Sequence, residues 1–81
     1  MKHKIRDKKS LGSNKWIIEI ELIPETINEK QEIKLVENIE ANDEQRERIT
    51  NYLLFCLADF TIYKLIRQQG CIFLVEALFE G

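Results

Sequence analysis

Large apolar residues recur at helical spacing through one long stretch, Asn42 to Gly70, reading NDEQRERITNYLLFCLADFTIYKLIRQQG. At 100° per residue, Ile49, Tyr52, Leu53, Cys56, Phe60 and Tyr63 fall on one stripe, and Leu54, Phe55, Ala58, Ile62, Leu65 and Ile66 on the opposite side. The start is well marked. Asn42 and Gln45 have the spacing of a capping box, Asp43 and Glu44 bring negative charge to the first turn, and Glu44 and Arg48 stand four apart. Lys64, Arg67 and then Gly70 supply the matching end. The pattern predicts a single helix over residues 43–69.

Such a helix makes two demands. Its 27 residues would span roughly 40 Å at ~1.5 Å each, whereas a compact domain of this size is only about 30 Å across. It is also apolar on both sides. Burying each large side chain is worth ~1.5–3 kcal/mol, a large share of the ~5–15 kcal/mol that holds a domain folded. Something must therefore cover both stripes: a small sheet on one, and the C-terminal segment or a second copy of the chain on the other. The length favours the second copy. Leu54, Phe55, Asp59, Ile62, Leu65 and Ile66 become the candidate self-association or partner face. Asp59 interrupts apolar sequence, where a carboxylate is costly unless paired or solvated. It reads as a rim residue beside Lys64 or as a specificity contact in a dimer interface.

Elsewhere the pattern changes to period two. In Lys15–Ile23, KWIIEIELI, Trp16, Ile18, Ile20 and Leu22 alternate with a face carrying Glu19 and Glu21, the signature of a strand in a sheet covered on one side. Pro24 ends it. Residues 24–31 form a polar connection, and Glu32–Ile39, EIKLVENI, reads as a second strand pairing with the first as a hairpin. After Gly70, CIFLVEALF supports a strand over 71–76 that returns to the hairpin's sheet, or alternatively a short second helix. The expected fold is α+β: a β-hairpin, one long central α-helix and a C-terminal apolar strand (ββαβ), in a single domain over 15–81.

Residues 1–14 read as a basic flexible arm and link. Lys2, Lys4, Arg6, Lys8 and Lys9 against Asp7 give the first nine residues +4, leaving −6 for the rest, where seven basic residues face thirteen acidic ones. Blocks of like charge are commonly solvated tails. The same five cations are the candidate phosphate contacts, since Lys and Arg release counterions from nucleic acid. No aromatic side chain among them offers a base-stacking platform.

Composition narrows the picture further. With 44% hydrophobic and 32% charged residues the chain is globular. Twelve Ile, and eight Lys against four Arg, suggest an AT-rich coding sequence and hence a bacterium, its phages or its plasmids. Two cysteines, Cys56 and Cys71, make no disulfide framework, which points to the cytoplasm. No signal-peptide pattern follows the basic start, and the apolar run Tyr52–Ile66 is too short to span a bilayer and carries Asp59 and Lys64.

Chemistry is hard to find. There is no Gly-rich phosphate loop, no metal-ligand spacing and no nucleophile elbow, and the single histidine, His3, lies in the basic arm. The expected function is a non-enzymatic, cofactor-free interaction module (a regulator, inhibitor or assembly factor), homodimeric and acting on a partner protein. The alternative is a nucleic-acid-binding accessory protein that grips phosphates with the arm.

Overall fold

A computed structural model describes residues 1–81. The chain runs β1 (Lys2–Gly12), β2 (Lys15–Ile23), α1 (Ile27–Glu37), α2 (Asp43–Cys56), β3 (Phe60–Gln69) and β4 (Ile72–Phe79). Two hairpins, β1–β2 and β3–β4, join through β2 and β4 into one antiparallel sheet of order β1-β2-β4-β3. The fold is α+β with four strands and two helices, in the order ββααββ. No helix is long and apolar enough to cross a membrane.

Alternation in β2 sets the two-layer arrangement. Ile18, Ile20 and Leu22 are fully buried, and across the ladder so are Phe73, Val75 and Ala77 of β4. Ile33 of α1 with Ile49 and Leu53 of α2 closes the same core. Both helices therefore lie on one face of the sheet. The expected polar face bearing Glu19 and Glu21 is the one left open.

Most of the expected strand over 32–39 is instead the second half of α1, and Asn38 and Ile39 form the turn that ends it. Thr26 caps that helix, accepting from the Glu29 N–H at 3.1 Å while Glu29 Oε1 accepts from the Thr26 N–H at 3.2 Å. Reciprocal satisfaction of free helix donors outweighs a short apolar alternation. Here Ile33 and Val36, three apart on one helical face, pack inward. Strand Lys15–Ile23 thus takes its hairpin partner from upstream. The segment expected to be a free arm is β1, with Ile5 packed against the core and its backbone paired to β2 from Lys2 to Gly12 across two register shifts. Ser13 and Asn14, at φ 53 and 63, form the tight turn between them, the double left-handed geometry that suits two-residue hairpins.

The long helix is also corrected. Its start is as expected: Asn42 accepts from the Gln45 N–H at 2.8 Å, and Gln45 returns the bond at 3.0 Å. It ends at Cys56, however, and residues 57–59 turn the chain into β3. The Phe60 N–H donates to the Leu57 carbonyl at 2.8 Å, and the Glu80 N–H to the Asp59 carbonyl at 2.8 Å. Phe60, Thr61, Ile62 and Tyr63 are β-branched or aromatic, side chains that favour a pleated surface over a helix. A 14-residue helix is about 21 Å long and fits within the molecule's 38 × 22 × 19 Å extents. The length argument for a second subunit thereby loses its premise. The strand expected over 71–76 is present and longer, and within the sheet it pairs with β2 on one side and β3 on the other.

Candidate interaction surface

Register builds the open face of the sheet rung by rung. Lys4, Glu21, Ile72 and Gln69 lie side by side across β1, β2, β4 and β3. Asp7, Glu19, Leu74 and Arg67 form the next rung, then Lys9, Ile17, Glu76 and Lys64, then Gly12, Lys15, Leu78 and Thr61. Opposed residues in a ladder share a face, so the central strands carry an aliphatic band of Ile17, Ile72, Leu74 and Leu78, interrupted by Glu76 and bordered on β2 by Glu19 and Glu21. These side chains are only half-buried.

Basic residues border this band on both sides. Lys2, Lys4, Arg6 and Lys9 line β1, and Lys64 and Arg67 line β3. Arg6, the extra residue at a bulge, reaches back over β2 to Glu19 at 3.1 Å and Glu21 at 3.0 Å. The Glu21 and Glu19 carboxylates raise its guanidinium pKa. The Glu76 carboxylate, with a contribution from burial, likewise pushes the Tyr63 phenol up. Seven basic and four acidic residues occupy the open face, including Lys15 and Lys2. The helical segment 24–59 holds four basic and nine acidic residues. The protein is polarised, with a positive sheet face (+3) and a negative helix layer (−5).

Both sheet edges are blunted in the same way. In β1 the register shifts between Ile5 and Asp7 and between Ser10 and Gly12; in β3 it shifts between Ile62 and Lys64 and between Leu65 and Arg67. Bulges and edge lysines each discourage strand addition. A partner reaching this sheet meets a face more readily than an edge.

The candidate residues named from the sequence are spread over α2, the turn after it and β3. Leu54 and Phe55 are on α2, where Phe55 is 76% exposed against Tyr52, with ring centroids 6.3 Å apart. Asp59 sits in the turn after α2, exposed. Ile62 and Leu65 are on β3 beside Ala77 and Val75, on the helix side, with Leu65 left 49% exposed at the edge; Ile66 is a bulge residue. Of the five basic residues of the expected arm, Lys2, Lys4, Arg6 and Lys9 face the open side. Lys8 is on the other side, its Nζ 5.9 Å from the centre of the Phe60 ring. His3 also faces the helices and meets Tyr52 edge-on at 6.4 Å. The residues missed were Ile17, Ile72, Leu74 and Leu78. Their signal was the odd-numbered face of KWIIEIELI together with the even-numbered face of CIFLVEALF, which only pairing between β2 and β4 brings together.

An open depression of about 330 Å³ on α1 is lined by Gln31, Lys34, Leu35, Asn38 and Glu40. No group of three His, Cys, Asp or Glu side chains stands close enough to hold a metal ion. Cys56 and Cys71 are both free thiols, and burial raises the pKa of the Cys56 thiol. No family model matches the chain, and no curated protein or solved structure does either.

Proposed function

We propose that this chain is a non-enzymatic interaction module that binds a partner protein through the open face of its sheet. One observation carries the reading: an aliphatic set, Ile17, Ile72, Leu74 and Leu78, stays partly exposed between two basic rims because both helices pack on the other side. Apolar patches rimmed by polar residues are characteristic of association surfaces. A regulator, inhibitor or assembly factor fits this architecture, since each works by occupying a partner's surface.

Self-association through the same face is less favoured by charge. Stacking two such sheets with strands aligned sets basic rim on basic rim and the carboxylates of β2 and β4 over one another, and like-charge juxtaposition costs several kcal/mol. Nucleic acid is the second reading, supported by Lys2, Lys4, Lys9, Lys64 and Arg67, none of which is held in an ion pair. Glu19, Glu21 and Glu76 between the rims oppose it.

The test is capture of partners from a bacterial lysate by the native chain and by Leu74→Glu, with and without nuclease. A protein retained by the first, lost by the second and indifferent to nuclease supports the reading. Retention of the same protein by Leu74→Glu, or recovery of nucleic acid alone, defeats it.

A further inference from the structure

We infer that the occupant of the open face is an amphipathic α-helix of the partner, apolar on one stripe and acidic along both flanks. This rests on the reading above and specifies the chemistry that the surface would select. Size is the first argument. Outer strands β1 and β3 stand three strand spacings apart, about 14 Å at ~4.8 Å each, and a helix with its side chains is about 10–12 Å across. A helix laid along β2 and β4 therefore seats its apolar stripe on Ile17, Leu74 and Leu78 and presents its flanks to the two rims.

Charge is the second argument. Lys4 and Lys9 on one rim and Lys64 and Arg67 on the other are available to carboxylates on either flank. Of the three carboxylates on the central strands, Glu19 and Glu21 are engaged by Arg6 and Glu76 lies opposite Lys64, which lowers the cost of laying an apolar stripe beside them. The alternatives fit less well. An added strand would need a straight edge, and both edges carry two bulges. A single nucleic-acid strand would need stacking platforms, and Tyr63 is the one aromatic side chain associated with this face.

The test uses isotope-labelled full-length protein and three probes. The first is a synthetic helical peptide of about 18 residues, enough at ~1.5 Å per residue to cross the sheet, with a leucine stripe flanked by glutamates. The second is the same peptide with lysine for glutamate, and the third is an oligothymidylate. Amide shifts locate binding, and titration gives relative affinity. The glutamate peptide is expected to shift Ile17, Leu74 and Leu78 and to bind roughly tenfold or more tightly than the lysine peptide, with the preference shrinking in high salt. Lys4→Glu combined with Lys64→Glu should remove that preference, while Lys30→Glu on α1 should leave it intact; the amide spectrum of each variant verifies its fold. Equal binding of both peptides to the open face overturns the acidic specificity and leaves the protein-binding reading standing. Shifts by the oligonucleotide alone overturn both. Failure of every probe to shift the open face overturns the helix inference, and the lysate experiment then judges the broader reading separately.

Discussion

The side-chain amide of Gln68, in edge strand β3, donates to the Ile33 carbonyl of α1 at 3.1 Å and to the Gly70 carbonyl at 3.0 Å. One residue thus joins the sheet edge, the first helix and the β3–β4 turn. The Gly70 N–H completes the junction by donating to Glu37 at the end of α1. Gln68→Ala removes both amide bonds and should cost about 1 kcal/mol. Denaturant unfolding measures the loss, and faster amide exchange confined to β3 and its turn would place it there.

Phe73 is fully buried at the centre of the core, between Ile20 of β2 and Gln68 of β3 in the ladder. Replacing it by Ala removes the largest fully buried side chain and leaves a cavity worth about 3–5 kcal/mol. A domain stable by ~5–15 kcal/mol has little margin for that. The expected outcome is a large fall in thermal midpoint or outright unfolding, read by far-ultraviolet circular dichroism. Leu74→Glu, one position along but on the open face, should lower the midpoint much less, because Leu74 is only half-buried and leaves no enclosed cavity.

Ile39 occupies a position that ordinarily belongs to glycine. The Glu40 N–H donates to the Leu35 carbonyl at 2.9 Å and the Ile39 N–H to the Val36 carbonyl at 3.3 Å, the Schellman pattern that ends α1. This places Ile39 at φ 59 while leaving it 80% exposed. A β-branched residue is strained in that region, and exposure returns little burial in compensation. Ile39→Gly should stabilise the fold by about 0.5–1 kcal/mol. A rise in denaturation midpoint at unchanged slope is the expected reading, and a fall would mean that Ile39 makes contacts that offset its strain.

Cys56 gives a pH dependence. Burial raises its thiol above the ordinary value of 9.0, so the folded state holds that proton more tightly than the unfolded chain. The corresponding stability is intact below about pH 9 and is lost as pH rises through the folded-state value. Alkaline titration of stability should therefore be shallower for Cys56→Ala than for the native chain. A thiol reagent near neutral pH should label Cys56 slowly in the folded protein and readily once it is unfolded.

Local signals in the sequence were decisive where chemistry acts over a few residues. Strict alternation from Trp16 to Leu22 placed β2, its buried face and the openness of its other face. Asn42 and Gln45 placed the start of α2. The equivalent signal of Thr26 and Glu29, two capping residues three apart, was present but hidden beneath the short alternation of Ile33 and Leu35.

Long-range pairing decided the rest. From Asn42 to Gly70 the apolar spacing suits a helix throughout, and no Gly or Pro interrupts residues 57–59. The change at Phe60 depends on hydrogen bonds to β4, which lies later in the chain and exerts no influence on local spacing. The basic N-terminal segment likewise reads as a solvated tail until β2 offers it a ladder, after which its cations become one rim of a sheet. For the same reason the aliphatic band could not be read from either strand alone. Its members come from two strands nearly sixty residues apart, from Ile17 to Leu74, and only the β2–β4 register sets them side by side. What a few neighbouring residues could satisfy among themselves was determined by the sequence; what required distant backbones to share hydrogen bonds was decided by the tertiary structure.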